Sequence, residues 1–154
     1  MNKHEVEVLI DSPATIVYDL LTDISRMAQW SPEVTSCHWV RGASVAQPGA
    51  RFRGWSRKGW RRWSTLSVVT VAERGSVFEW RVSFVGRPVA TWRYAMIPNN
   101  ERRTTVRETV LDERGAMLRR VSPFITGSKD RRHRNDETMN VTLERLKAAA
   151  EASA

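Results

Sequence analysis

Hydrophobic and polar residues alternate over most of the chain, and helical spacing is confined to regions near its two ends. The first alternating segment, EVEVLI, reads as a strand with its valines and isoleucine on one face. It stops at the tripeptide DSP, where Ser12 is a natural helix N-cap and Pro13 suits the first helical turn. The pattern therefore predicts a helix over about residues 13–22 and a second helical turn over about 24–29.

Period-two alternation resumes after Pro32 and continues for about eighty residues. Short turn sequences containing Gly, Pro or Asn divide it into six strands, and such short connections make neighbouring strands antiparallel. The predicted strands cover about residues 34–41, 50–57, 61–72, 76–84, 89–97 and 104–111. With the first strand they make a seven-stranded sheet, which cannot stay flat because strands twist by roughly 20–25° relative to one another.

A second helical pattern follows Pro123 and ends near Ala150, with Ser128 or Asp130 as its candidate cap. Its apolar stripe has helical spacing and consists of Met139, Leu143, Leu146 and Ala150. No linker divides the chain, so we expect one domain over residues 1–154, with the curved sheet wrapped around this terminal helix.

Composition excludes several classes of protein. No run approaches the roughly 18 apolar residues of a membrane span, which excludes an integral membrane protein. The N-terminus has no apolar stretch of signal-peptide length, which predicts a cytoplasmic protein. Cys37 is the single cysteine and the three histidines are scattered, so we expect no disulfide and no metal site. No cofactor-binding motif is present, and none is expected.

The segment SRKGWRRW places four basic residues and two tryptophans at one hairpin tip. Basic and aromatic interleaving is typical of single-stranded nucleic-acid binders, in which stacking contributes roughly 1–3 kcal/mol per base. The order of elements matches no nucleic-acid module, however, and the sequence argues against such a partner. The net charge is +8, and the basic clusters give no more than a weak hypothesis of a partner.

Four segments carry a family resemblance that covers essentially the whole chain: IDSPATIVYDLLTDISRMAQWSPEV, PGARFRG, PVATWRY and NVTLERLKAAAE. Together they resemble the START-like helix-grip superfamily, also called SRPBCC, and within it the polyketide cyclase/dehydrase-like proteins of actinobacterial type. The resemblance implies an α+β helix-grip fold, in which a curved seven-stranded antiparallel sheet grips a long C-terminal helix and two short helices follow the first strand. It also implies a cavity between sheet and helix that holds a hydrophobic or amphipathic small molecule.

Glu108 is the most informative polar residue. In the strand TTVRETVL it shares a face with Val106 and Val110, whereas Arg107 lies on the other face. If the valines face the cavity, so does Glu108, and a carboxyl group in an apolar pocket can act as a general acid/base or as a ligand anchor. The alternative places Glu108 on the outer face of a one-sided sheet, and the sequence leaves both positions open.

Aromatic side chains are the candidate cavity walls. Seven tryptophans exceed what a core of this size needs, and packing so many large rings leaves shaped gaps or polar edges. Alternation places Trp80 on the same strand face as Phe78, and Trp92 on the same face as Tyr94. The alternative for each tryptophan is an ordinary core position without contact to a ligand. The candidate ligand-binding residues are Trp30, near the cavity mouth, and Phe78, Trp80, Trp92, Tyr94 and Met139.

Arg53 and Arg93 are the candidate polar anchors. Each alternates with aromatic or apolar residues in its strand, so an arginine in the cavity could pair with Glu108 or hold an acidic ligand group. The alternative for both is a solvated position on the outer face.

The sequence favours a monomer or homodimer that binds a hydrophobic, aromatic or lipid-like molecule in the cavity. The second hypothesis is an aromatic polyketide cyclase/dehydrase, in which Glu108 moves protons for aldol closure and loss of water. The third is a partner-binding domain whose own tryptophans fill the cavity. Cavity size separates these hypotheses, because a pocket of at least about 300 Å³ supports a ligand of ordinary size.

Overall fold

The computed structural model describes residues 2–115, Leu118, Arg120 and residues 131–153. The strands are β1 (Asn2–Ile10), β2 (Val34–Val40), β3 (Arg51–Lys58), β4 (Arg61–Glu73), β5 (Val77–Phe84), β6 (Arg87–Asn100) and β7 (Arg103–Asp112). The helices are α1 (Ala14–Thr22), α2 (Met27–Trp30), which follows a 3₁₀ turn at Ile24–Arg26, and α3 (Arg131–Ser153).

All seven strands belong to one antiparallel sheet with the order β1-β7-β6-β5-β4-β3-β2. Consecutive strands from β2 to β7 are neighbours, as their short connections predict. The first strand joins the far edge, where it pairs with β7 along its whole length. The helix-grip architecture predicted from the sequence is therefore confirmed.

One face of the sheet is buried because hydrophobic residues recur at every second position. In β7 the buried positions are Thr104, Val106, Glu108 and Val110, and the residues between them are partly exposed. The helix α3 packs against this side of the molecule, where it contacts β1, α1 and α2. Its predicted apolar stripe is fully buried. No helix among the described residues is long and apolar enough to cross a membrane.

The start of α1 differs from the prediction. Pro13 occupies the N-cap position in an extended conformation, and no side chain caps the helix. Ser12 is buried with its hydroxyl unpartnered, while its carbonyl accepts a hydrogen bond from Thr104 Oγ1 at 2.8 Å. Ser12 thus ties the end of β1 to β7, and its predicted capping role is wrong. The candidate caps Ser128 and Asp130 lie outside the described residues.

Candidate functional site

A cavity of about 190 Å³ lies between the buried face of the sheet, α2 and α3. It is smaller than the roughly 300–1,000 Å³ of pockets for drug-sized molecules, but larger than a cavity of about 150 Å³ that binds benzene. The tryptophans therefore narrow the interior without filling it, and the space suits a molecule of one or two rings. Its aromatic lining consists of Trp30, Phe52, Trp63, Trp80, Phe84, Trp92 and Tyr94.

Strand pairing brings Glu108 and three aromatic residues together on the buried face. Tyr94 lies opposite Glu108 in the β6–β7 register, and Trp92 lies opposite Trp80 in the β5–β6 register. The ring of Trp80 stacks on Tyr94 with 5.7 Å between centroids and 17° between planes. The face-sharing predicted from alternation thus becomes one continuous aromatic surface with a carboxyl group beside it.

Glu108 is only 2% exposed and lines the cavity. The Tyr94 hydroxyl donates a hydrogen bond to Glu108 Oε2 at 2.6 Å, whereas Oε1 is buried and has no hydrogen-bond partner in the part of the chain that the structure describes. Of the two positions that the sequence left open for this residue, the structure has the inner one.

The buried environment favours the neutral form of both side chains. Burial raises the pKa of Glu108 to about 8, although the hydrogen bond from Tyr94 offsets part of the shift. Burial also raises the pKa of Tyr94 well above its ordinary value, and the adjacent Glu108 adds to this effect. Near pH 7 the cavity therefore presents a largely protonated carboxylic acid, held on one side by a phenol that does not ionise.

Hydroxyl groups form a second polar part of the lining. They come from Ser56 and Thr65 on neighbouring strands, from Ser67, and from Thr138 and Thr142 on α3. Sequence reasoning missed these residues. Period two places Trp63, Thr65 and Ser67 on one face of β4, but small hydroxyl side chains occur on inner and outer faces alike, so their type gives no further signal.

Among the described residues, Arg114 is the arginine that lines the cavity. Its guanidinium binds Asp112 through Nε at 3.0 Å and Nη2 at 2.8 Å, and its backbone N–H donates to the same carboxylate. Glu33 is buried and also lines the cavity. The guanidinium in the described lining is thus already bound by a carboxylate, which disfavours its use by an anionic ligand.

Arg53 and Arg93, the two predicted polar anchors, do not belong to the described lining of the cavity. Arg93 Nη1 lies 2.9 Å from Glu79 Oε2, and Arg53 donates to Ser64 Oγ at 3.3 Å. Both arginines alternate with inward-facing residues, so they lie on the outer face, where water solvates their charge.

Two predicted aromatic and apolar contacts also need correction. Phe78 is fully buried in the core beside Trp80, with 5.0 Å between ring centroids, and is not part of the described lining. Met139 packs with Ala90 and Val110 in a separate small cluster. Both residues are completely enclosed by packing, so they support the cavity wall rather than form its surface. The other predicted wall residues, Trp30, Trp80, Trp92 and Tyr94, do line the cavity.

Cys37 lines the cavity but has the properties of a small apolar residue. It is 6% exposed, and burial raises the pKa of its thiol to about 12. The thiol is therefore protonated at neutral pH. Within the part of the chain that the structure describes, no three His, Cys, Asp or Glu side chains are grouped so that they could hold a metal ion.

A single antiparallel sheet that grips a C-terminal helix and leaves an internal cavity between them defines a helix-grip protein. The chain belongs to the family described as polyketide cyclase / dehydrase and lipid transport, whose model matches residues 1–151. The resemblance to polyketide cyclase/dehydrase-like proteins that the sequence carries is thereby confirmed. No curated protein matches the sequence at a significant level.

Solved structures support the same fold. A START superfamily protein from Mycobacterium smegmatis is 14% identical, with 99% of each chain covered and a TM-score of 0.69. The Zhui aromatase/cyclase from Streptomyces sp. R1128 is 15% identical, with 97% of this chain and 93% of that chain covered and a TM-score of 0.66.

The di-domain ARO/CYC BexL, from the BE-7585A biosynthetic pathway, is 18% identical with a TM-score of 0.69. The match covers 96% of this chain but 46% of BexL, and 44% of a second di-domain protein, StfQ. The chain thus spans about half the length of these two proteins. At such low identities the likeness shows the fold alone.

Proposed function

We propose that the protein binds a small, neutral, ring-containing molecule in the cavity and holds one of its oxygen atoms with Glu108. The observation that carries this proposal is Glu108, which lines the cavity and whose buried Oε1 atom has no hydrogen-bond partner among the described residues. A buried polar atom without a partner costs about 1–3 kcal/mol, and a ligand oxygen removes that cost. Because Tyr94 donates to Oε2, the carboxyl proton lies on Oε1 and donates to a carbonyl or hydroxyl of the ligand.

The rest of the lining defines the ligand class. Aromatic walls favour a flat hydrophobic skeleton, whose burial contributes roughly 25 cal/mol per Å² of apolar surface. The volume of about 190 Å³ limits that skeleton to one or two rings. In the described lining the one guanidinium, that of Arg114, is already bound to Asp112, which favours a ketone, phenol or quinone over a fatty-acid carboxylate.

Calorimetric titration with three matched probes tests the proposal: α-tetralone, an aromatic ketone with two rings; tetralin, the same skeleton without the oxygen; and β-naphthoate, an anion. We expect α-tetralone to bind about tenfold more tightly than tetralin, since a hydrogen bond contributes about 1–1.5 kcal/mol. β-Naphthoate is expected to bind more weakly than either. Ligand entry should also change the tryptophan emission, because four of the seven tryptophans line the cavity.

Variants of the carboxyl group assign the preference to Glu108. In the unsubstituted protein we expect the affinity for α-tetralone to fall above pH 8, where Glu108 loses its proton. Glu108→Gln keeps a neutral donor, so this variant should retain the preference for α-tetralone at every pH. The double change Glu108→Leu with Tyr94→Phe should bind α-tetralone and tetralin equally. Glu7→Gln, on the outer face of β1, is the matched control. Equal affinity for the two probes in the unsubstituted protein contradicts the proposal.

A second candidate function, polyketide cyclisation or dehydration, is favoured by one observation. A carboxyl group that has a pKa of about 8 and belongs to a cavity lining suits general acid/base catalysis near neutral pH. In its ionised form Glu108 could take the α-proton of a β-hydroxy ketone and return that proton to the departing hydroxyl, which leaves as water. Conversion of the β-hydroxy derivative of α-tetralone to α-naphthol supports this function if Glu108→Gln abolishes it, whereas binding without conversion leaves the binding function alone.

We further propose that the protein acts in the cytoplasm as a monomer or homodimer, as one domain over residues 1–154 and without a cofactor. The single seven-stranded sheet and the absence of a linker in the sequence support the single domain. The actinobacterial type of the sequence stays a prediction.

A further inference from the structure

Two neighbouring hairpins carry exposed apolar side chains at the same end of the sheet. Trp60, in the turn between β3 and β4, is 80% exposed, and Val85, in the turn between β5 and β6, is 84% exposed. Because β4 pairs with β5 and antiparallel strands reverse at each turn, both turns lie at one end. Exposed arginines flank both. We call Arg57, Trp60, Arg62, Val85 and Arg87 the hairpin patch.

Val85 breaks the usual rule for its turn. Val85 and Gly86 form a two-residue turn with positive φ at both positions, 50° and 74°, where Asn-Gly is the favoured sequence. A β-branched residue in the left-handed region costs on the order of 1–3 kcal/mol, and its exposed side chain gains little from packing in return. An unfavourable local choice of this kind indicates a contact made outside the folded chain.

The charges of the hairpin patch break a second rule. Arg57 lies directly opposite Arg62 in the β3–β4 register, and both residues are exposed. Like charges in facing positions of a sheet destabilise it. Arg87 adds another exposed positive charge on the neighbouring hairpin. An anionic surface placed against this end would relieve the repulsion.

The hairpin patch lies at the same end of the sheet as part of the cavity lining. Ser56 and Trp63 line the cavity and face each other one residue pair inside the Arg57–Arg62 pair, so the two arginines lie on the opposite, outer face. Phe84 also lines the cavity and immediately precedes Val85. A surface bound to the patch therefore lies near this end of the cavity.

The exposed apolar groups favour a lipid surface over single-stranded nucleic acid. Single-stranded nucleic acid is bound by successive aromatic side chains on which bases stack, but the two exposed apolar groups here are one indole, with the Arg61 guanidinium over one face at 4.5 Å, and one aliphatic side chain, Val85. Indole rings and aliphatic side chains both partition to the boundary between lipid headgroups and acyl chains, and each nearby arginine adds about fivefold in affinity for an anionic membrane.

We propose that the hairpin patch docks the protein on an anionic lipid surface, with Trp60 and Val85 at the headgroup boundary and the arginines at lipid phosphates. The β3–β4 hairpin extends about four residues, or ~13 Å, beyond the β5–β6 hairpin, so the surface lies oblique to the strands. This docking is independent of the identity of the cavity ligand.

Cosedimentation with vesicles tests the docking on the full chain. Vesicles of phosphatidylcholine alone are compared with vesicles of equal parts phosphatidylcholine and phosphatidylglycerol, at physiological ionic strength. We expect binding to the anionic vesicles only. Arg62→Gln should weaken it about fivefold, and Trp60→Ser by at least as much. Arg102→Gln, the same change in an exposed residue of the β6–β7 turn at the opposite end of the sheet, should have little effect.

Val85→Asn separates docking from folding, because its two expected effects have opposite signs. Asn suits the turn, so Tm should rise by about 2–4 °C, while binding to anionic vesicles should fall. Equal binding to both vesicle types, or anionic binding that survives both Trp60→Ser and Val85→Asn, overturns the proposal. A second measurement, fluorescence anisotropy with a labelled single-stranded oligonucleotide, is made at the same salt concentration. Binding of the oligonucleotide that requires Trp60, without binding of vesicles, also overturns the proposal. The assay contains no cavity ligand, so its failure leaves the proposed binding function untouched.

Discussion

Replacing Glu108 with Gln is expected to remove the largest single contribution to the pH dependence of stability between pH 4.5 and pH 8. Burial raises the pKa of Glu108 from an ordinary 4.5 to about 8, so in this window the folded chain binds a proton that the unfolded chain has released. The contribution of Glu108 to stability is therefore fully present below pH 4.5 and is lost as the pH rises, by about 1.4 kcal/mol per pH unit. Above pH 8 the loss is on the order of 5 kcal/mol.

A glutamine side chain stays neutral at every pH and can still accept the hydrogen bond from Tyr94. Glu108→Gln should therefore match the unsubstituted protein below pH 4.5 and exceed its free energy of unfolding above pH 8. Urea unfolding across this range measures the difference between the two curves, in which the titration of all other groups cancels. Glu7→Gln is the control, since Glu7 is exposed and pairs with Arg107 on the outer face. Parallel curves for Glu108→Gln and the unsubstituted protein would show that Glu108 ionises normally.

Replacing Trp80 with Ala is expected to destabilise the fold by about 3–5 kcal/mol and to enlarge the cavity. The Trp80 ring is 6% exposed and contacts three other rings, with 5.9 Å to Phe52, 5.0 Å to Phe78 and 5.7 Å to Tyr94 between centroids. Truncation removes these contacts and one wall of the cavity. A ketone with three fused rings, anthrone, should therefore bind better to the variant than to the unsubstituted protein.

Urea unfolding and calorimetric titration with anthrone check the two effects separately. Trp60→Ala is the matched control, because the exposed Trp60 ring lies at a hairpin tip and its loss should change stability by no more than about 0.5 kcal/mol. A variant as stable as the unsubstituted protein, or one that gains no affinity for anthrone, would show that Trp80 does not form the wall.

Period-two alternation predicts relative positions within a strand well. It placed Trp92 with Tyr94, and Glu108 with its neighbouring valines, on shared faces, and the structure has them there. Alternation does not say which face is the inner one when charged and apolar residues interleave. In β3 and β6, for example, alternation alone allows Arg53 and Arg93 to lie on the inner face. The structure places them on the outer face because their neighbours in the strands, such as Phe52 and Tyr94, are the buried residues.

Other parts of the site depend on contacts between distant segments, which local sequence patterns do not contain. Arg114 reaches the cavity because the chain turns just after β7 and the guanidinium binds Asp112 two residues earlier. Ser12 is drawn to Thr104, which is 92 residues away, instead of capping α1. The unpartnered Glu108 Oε1 likewise results from the shape of the cavity, whereas the sequence predicted only the residue.

The central claim is that a protonated Glu108 donates from Oε1 to a ligand oxygen. Difference infrared spectroscopy at pH 7 measures this directly, because a protonated carboxyl group has a carbonyl stretch distinct from that of a carboxylate. The account predicts a protonated-carboxyl band that is missing in Glu108→Gln. This band should shift when α-tetralone accepts the hydrogen bond. Tetralin, which has no oxygen atom, should not produce the same shift. A spectrum without that band at pH 7, or a band that α-tetralone leaves unchanged, would contradict it.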